Sequence, residues 1–479
     1  MLFNSIQFLI FFPFVVTVFF LLPHKFRKYF LLAASYYFYL IFIPKYVLIP
    51  VFVTFIDFFS AILVRKFREE GKTFWQKFTF ILAVVLNVGL LAYFKYLGLF
   101  EDTLNFFGHM IDMRTVVLPE VTLPIGISFL TFQSMGYLID AYRCDEPVET
   151  NFIDFSLFIL FFPQLVAGPI ERSGNLKPQL KRESFLRYNN ISIGGRRMLW
   201  GMFKKVVVAD NVSMFADAVF KNVEGYSGFG LILGILAFAI QIYCDFSGYS
   251  DIAVGCAKIM DIDLMTNFDT PYFSGSVTEF WRRWHISLST WFKDYLYIPL
   301  GGNRVSTPRW IFNQMVTFTV SGIWHGANFT FAVWGILNGL YIVISRFLQP
   351  IKKKLGSILH TEKIPRISKG ISIIVTFSLI SFTWIFFRAN NFSDAFYVIS
   401  NMFKSTSFDF SLIPEFRAWI AVFASILLLS IEGILKSKKV TSWYIKAPTL
   451  IRLSSYAILL AIIVIFGAYD NKSFIYFQF

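Results

Sequence analysis

The sequence predicts an all-α, polytopic membrane protein, and three observations carry the prediction: its hydropathy, its aromatic content, and the recurrence of apolar runs about 20 residues long. Hydrophobic residues fill 56% of the 479 positions and charged residues only 15%. The resulting mean hydropathy of +0.60 excludes an ordinary soluble domain. Sixty-one Phe, 22 Tyr and 11 Trp supply more aromatic surface than a soluble core takes up, which suits lipid-facing helices and interfacial belts.

Runs long enough to cross a bilayer lie near 5–22, 29–44, 47–64, 78–98, 121–140, 192–208, 228–246, 310–325, 327–345, 371–387, 418–434 and 450–468. Shorter pieces at 153–167 and 291–300 read as re-entrant or interfacial. The expectation is roughly 11–13 transmembrane helices plus broken ones. They form one integral-membrane domain over 1–479, with a motif-bearing core about 120–350 and C-terminal helices and tail over 370–479. The first run, Ser5 to Leu22, has no basic leader and no small-residue cleavage site, so it is expected to be retained. No internal repeat is evident, which weighs against transporters built from duplicated halves.

The formal net charge of +14 arises from short basic loops beside the apolar runs, a positive-inside pattern and not a nucleic-acid footprint. His24, Lys25, Arg27 and Lys28 follow the first span; Arg65, Lys66, Arg68, Lys72 and Lys77 follow the third. Both loops are assigned to the cytoplasm, as are Lys352, Lys353, Lys354, Lys436, Lys438 and Lys439, which puts the N-terminus and residues 469–479 outside. The polar stretch 169–205 gathers Arg172, Lys177, Lys181, Arg182, Arg187, Arg196, Arg197, Lys204 and Lys205. It reads either as topological anchoring or as a cytoplasmic rim for the phosphates of a CoA or phosphopantetheine donor.

Chemistry concentrates in four segments. SGIWHGANFTFAVWGILNGLY (321–341) sets His325, between Trp324 and Gly326, in a long apolar run, where an imidazole is costly unless hydrogen-bonded or facing a wet cavity. EFWRRWHISLSTWFKDYLYIPLGG (279–302) holds His285; on a helix Trp281, Trp284, Ser287 and Leu288 share a face, so an amphipathic helix at the membrane boundary is expected. Two histidines on separate elements supply a base and an orienting partner, the minimum for deprotonating an alcohol. In the third segment, Gln241, Tyr243, Asp245, Ser247 and Asp251 interleave polar with apolar residues, as expected of a network shaping a water-filled funnel. In the fourth, FFPQLVAGPIER (161–172), Pro163, Gly168 and Pro169 break the helix beside Gln164 and suit a channel wall.

Other chemistries lack their motifs. Cys144, Cys244 and Cys256 form no C-x-x-C pair, two carboxylates are too few for a hard cation, and no metal is expected. There is no G-x-S-x-G elbow, phosphate loop or H-E-x-x-H site. His-centred acyl transfer or transport remains.

These segments, with YCDFSGYSDIA (243–253) and the terminal FIYFQF (474–479), resemble the membrane-bound O-acyltransferases, in the bacterial branch that includes the membrane subunit of alginate O-acetylation. A more distant resemblance is to the D-alanyl transfer protein of teichoic acid modification. The resemblance implies a ring-like bundle of helices around a thin centre and a central tunnel, in a bacterial inner membrane. It makes His325 the general base or the group that orients the acceptor hydroxyl, and sets His285, with neighbours Arg282 and Arg283, on the donor side. It also implies acetyl-CoA as donor with no tightly bound cofactor, an extracytoplasmic SGNH-type partner, and an exported cell-envelope polysaccharide as acceptor. The F-x-Y-x-x-F ending makes Tyr476 a candidate acyl relay. The competing expectations are D-alanyl or other acyl transfer from a carrier protein, and a polysaccharide transporter or flippase using His325 as a proton relay.

Overall fold

In hydrocarbon, backbone N–H and C=O groups find partners only within the chain, so apolar runs of this kind fold as helices. A computed structural model describes all residues except 42–43, 112, 120, 125, 166–167, 359–362, 406–413, 470–473 and 476–479. Every regular element among the described residues is helical. They divide into two units, Met1–Met198 with Ser250–Met265, and Leu199–Tyr249 with Thr266–Phe479.

The first unit carries α1 (Ile6–Leu21), α2 (His24–Leu40), α3 (Leu48–Glu69), α4 (Thr73–His109), α5 (Ile127–Arg143), α6 (Phe152–Leu160), α7 (Phe162–Leu165), α8 (Ser173–Lys181) and most of α9 (Tyr188–Met202). Its interior includes a carboxylate that hydropathy does not flag. Asp57 of α3 is fully buried, and accepts hydrogen bonds from Asn87 Nδ2 of α4 at 2.8 Å and from the Ser134 hydroxyl of α5. The segment expected to be re-entrant is two short helices, α6 and α7, with Phe162 packed on Phe11 and Phe38 at 5.4 and 5.7 Å. Helix α7 stops at Leu165 and residues 168–172 are irregular, as the glycine and proline of AGPIER require.

The second unit follows a π-helical stretch, Phe203–Ala209, with α10 (Asp210–Lys221) and α11 (Phe229–Ile259), whose last residues, from Ser250, belong to the first unit. Then come α12 (Val277–Arg283), α13 (Ile286–Phe292), α14 (Thr307–His325), α15 (Phe329–Phe347), α16 (Gln349–Ile358), α17 (Pro365–Arg388), α18 (Phe392–Asn401), α19 (Glu415–Leu435), α20 (Lys438–Lys446) and α21 (Thr449–Phe466). On α21 only Ile463 is buried, while Leu450, Ile458, Leu460, Val464 and Ile465 are exposed, as a lipid-facing helix should be.

Among the described residues, seven helices are long and apolar enough to cross a membrane: Pro44–Glu69, Thr73–His109, Phe229–Ile259, Phe329–Phe347, Pro365–Arg388, Glu415–Leu435 and Thr449–Phe466. Other runs read as crossings are helical but shorter or more polar. Helix α1 has 16 residues, α2 and α5 have 17 each, and α14 carries Arg309, Asn313, Gln314 and His325.

Candidate active site

The hairpin α14–α15 positions His325. A Cβ on Gly322 would lie 2.2 Å from the Phe331 carbonyl oxygen, and one on Gly335 would lie 2.2 Å from that of Phe318. Glycine at both positions is what lets the two backbones touch. Asn328 caps α15 by accepting from Thr330 N at 3.0 Å, and its Nδ2 donates to the Asn390 carbonyl at 2.8 Å, fastening the turn just beyond the end of α17. His325, the last residue of α14, is thereby only 3% exposed. Its ring meets Trp334 edge-on at 5.1 Å, Phe387 at 5.2 Å and Trp324 at 4.9 Å.

An aromatic file runs onward from this point. Trp334 stacks on Trp384 at 5.8 Å, Trp384 contacts Trp284 at 5.2 Å, and Trp284 precedes His285 in the chain. Phe246 of α11 meets the His285 ring edge-on at 4.6 Å. Both histidines are thus buried along one continuous aromatic wall in the second unit.

His285 corrects the expectation of one amphipathic helix. Helix α12 ends at Arg283, α13 begins at Ile286, and His285 between them has φ 42° and ψ 56°, in the left-handed region. For a non-glycine residue that conformation costs about 1–2 kcal/mol. It is held by Asp269 N donating to the Arg283 carbonyl at 3.0 Å, Ile286 N donating to the Asn267 carbonyl at 2.9 Å, and the Ser287 hydroxyl donating to Asn267 Oδ1 at 2.6 Å. Trp281 and Trp284 therefore do not continue the face of Ser287 and Leu288. Burial pushes the His285 imidazole down, to about 3, so it is neutral near pH 7.

The polar face of α11 is a buried ionic network. Lys205, 1% exposed, stands 2.7 Å from Asp245 and 2.9 Å from Asp210. Lys204 stands 3.4 Å from Glu432, which also accepts from the Tyr243 hydroxyl at 2.7 Å. This corrects the placing of Lys204 and Lys205 on a solvent-facing rim: the helix turns both into the interior, where carboxylates balance them. The π-helical stretch that carries them is a deviation often found at functional sites. Gln241 and Ser247 are buried on the same helix.

Not all the expected lining residues fall in this unit. Gln164, Arg172, Arg196, Arg197 and Asp251 belong to the first unit, and Arg282 and Arg283 to the second. Asp251 forms an ion pair with Arg197 at 2.9 Å, Arg196 donates to the Ser192 carbonyl at 3.1 Å, and Gln164 Nε2 donates to the Phe158 carbonyl at 2.7 Å. Arg283 pairs with Glu279 at 2.8 Å, whereas Arg282 is exposed.

Tyr476 lies outside the described residues, but the chain leading to it is buried. Phe474 is 0% and Ile475 1% exposed. Ile475 N donates to Asp245 Oδ2 at 2.7 Å, and the Phe474 ring lies 5.5 Å from Phe246 and 4.7 Å from Tyr249. Phe246 therefore touches both the tail and His285. Sequence reasoning missed Glu432, Trp334, Trp384 and the pairing of Lys205, although two lysines inside the run 192–208, with Asp210 just beyond it, were a signal that partners lay within the bundle.

Comparison with known proteins identifies the family. Residues 145–388, which include both histidines, match the MBOAT, or membrane-bound O-acyltransferase, family. A probable alginate O-acetylase from Pseudomonas aeruginosa is 39% identical over 84% of this chain and 75% of its own length. A peptidoglycan O-acetyltransferase from Helicobacter pylori is 34% identical over 79% of this chain and 74% of its own. A teichoic acid D-alanyltransferase from Bacillus subtilis is 26% identical over 56% and 69%. The chain belongs to the membrane-bound O-acyltransferase family and is a multi-pass membrane acyltransferase.

Proposed function

We propose that this enzyme moves acetyl from acetyl-CoA, supplied from the cytosol, toward O-acetylation of an exported cell-envelope polysaccharide. The observation that carries the reading is the burial of His325 and His285 along one aromatic wall, inside the segment that matches the acyltransferase family. His325 takes the proton of the acceptor hydroxyl as its oxygen attacks the thioester carbonyl. The C–S bond then breaks, the ester forms, and CoA leaves as its thiol once it gains a proton. His285, held neutral by burial, donates or accepts a hydrogen bond without carrying charge. Within the histidines' own unit, the exposed Arg282 is the side chain assigned to the donor's phosphates.

The names of the alginate and peptidoglycan O-acetylating relatives support acetyl as the group and a polysaccharide as the destination, and the lower identity to D-alanyltransferases favours acetyl over D-alanyl. In this reading the chain sits in the bacterial inner membrane with both termini extracytoplasmic. Tyr476 accepts acetyl and offers it to an extracytoplasmic SGNH-type partner, dividing one transfer into two. Support comes from the tail's anchorage, since Phe474 and Ile475 seat it on the helix whose Phe246 contacts His285. The test is polymer analysis in cells carrying His325→Ala. The proposal expects normal polymer yield without O-acetyl groups; loss of extracellular polymer would instead establish the transport reading.

A further inference from the structure

A cavity in the first unit, remote in sequence from His285 and His325, is lined by the basic N-terminal end of α2 and by the end of α8. His24, Lys25, Arg27 and Lys28 face Lys181 and Arg182 across a space of about 400 Å³. Most of these cations are neutralised locally. Lys28 pairs with Asp154 at 2.8 Å, Lys181 with Glu149 at 2.5 Å, and Arg182 lies 3.9 Å from Asp261. Two differ. Arg27 donates to the carbonyls of Leu22 at 2.9 Å, Ser184 at 2.6 Å and Phe20 at 3.4 Å, and Lys25 lies 5.0 Å from the Phe26 ring; among the described residues neither has a carboxylate partner. Three of the five guanidinium N–H groups are directed at backbone, which fixes the fork and leaves two for a ligand. The cavity thus holds a surplus of two positive charges on partly pre-oriented donors.

Its borders are those of a headgroup site. Apolar α1 ends at Leu21, which is 78% exposed, and Phe26 and Tyr29 on α2 and Phe185 and Leu186 after Ser184 are all exposed too. Exposed aromatics interleaved with Lys and Arg at the end of an apolar helix mark the headgroup level of a bilayer. A soluble anion would use the cations but not this apolar fringe; an anionic phospholipid uses both.

We infer that this cavity binds the phosphodiester of an anionic membrane phospholipid, with Arg27 and Lys25 on the phosphate and the acyl chains along the exposed face of α1. The full-length protein in nanodiscs or detergent is titrated with phosphatidylglycerol, with phosphatidylcholine as the neutral comparison, and binding is followed by native mass spectrometry. Each basic side chain near the surface is worth about fivefold in affinity. Lys25→Gln is therefore expected to weaken phosphatidylglycerol about fivefold, and Arg27→Gln at least as much, while Lys77→Gln, at an exposed lysine outside the cavity, changes nothing. Arg27 also ties down backbone, so Lys25→Gln carries the test should Arg27→Gln fail to fold. Equal loss from Lys25→Gln and Lys77→Gln would reduce the effect to general surface charge and overturn the site. Competition by glycerophosphate or by CoA at the same concentration would overturn the lipid as ligand and assign the cavity to a soluble phosphate ester.

Discussion

Replacing Lys205 with Met should destabilise the protein far more than replacing its partner Asp245 with Asn. The ammonium of Lys205 is buried between Asp245 at 2.7 Å and Asp210 at 2.9 Å, and those carboxylates are 2% and 4% exposed. Lys205→Met takes the cation from both, and breaking a buried pair by deleting one member costs about 3–5 kcal/mol. Asp245→Asn leaves Lys205 with Asp210, and the amide oxygen still accepts from Ile475 N, so the loss is nearer about 1–2 kcal/mol. Asp245→Ala removes that acceptor as well, orphaning an amide in a residue that is 1% exposed, which should free the tail before it unfolds the bundle. Tryptophan fluorescence through a denaturant titration in detergent reads the first two variants, and hydrogen exchange at Ile475 reads the third. The reasoning fails if Asp245→Asn costs as much as Lys205→Met, or if Ile475 exchanges equally slowly in Asp245→Ala and wild type.

Three further perturbations have defined outcomes. Gly335→Ala puts a methyl 2.2 Å from the Phe318 carbonyl oxygen, so the α14–α15 hairpin must spread, at about 1–3 kcal/mol, with a loss of acyl transfer larger than the loss of folded protein. Glu171 is pushed up to about 7 by burial, which outweighs the N–H donors from Met265 and Asn175 that lower it. Because the folded state holds this proton more tightly than the unfolded one, the stability it contributes is complete below about pH 4.5 and is lost as pH rises through 7, amounting to about 3 kcal/mol. Glu171→Gln should flatten that slope in a pH series of unfolding curves; an unchanged slope would contradict it. Tyr476→Phe, which removes the hydroxyl that first takes the acetyl group, should abolish polymer acetylation and the release of CoA together, and full acetylation in that variant would end the relay proposal.

Much of the architecture was legible because the bilayer leaves the chain few options: apolar runs became helices, and the Gly-Pro break after Gln164 appeared where the sequence put it. His325 was legible as well, since an ionisable residue in an apolar run needs a reason to be there. What the sequence concealed depended on tertiary partners. The spacing of Trp281, Trp284, Ser287 and Leu288 suits one helix, and neither glycine nor proline marks the left-handed turn at His285, which hydrogen bonds to Asn267 and from Asp269 impose. Placing Lys204 and Lys205 on a cytoplasmic rim failed in part for the same reason: Asp245 and Glu432 come from α11 and α19, distant in sequence, and only Asp210 lies close by. Arg197 and Asp251, 54 positions apart, could not be seen as a pair until α9 and α11 were placed.

The central claim is that the buried His325 drives transfer from an acetyl thioester. Its most direct test is release of CoA from acetyl-CoA by the purified full-length protein in nanodiscs, with wild type compared against His325→Ala of matched thermal stability. The account predicts release of CoA by the wild type as its own first acceptor takes the acetyl group, and a rate of release at least about 100-fold lower in the variant, the lower range for a general base. Equal CoA release from the two proteins would contradict it.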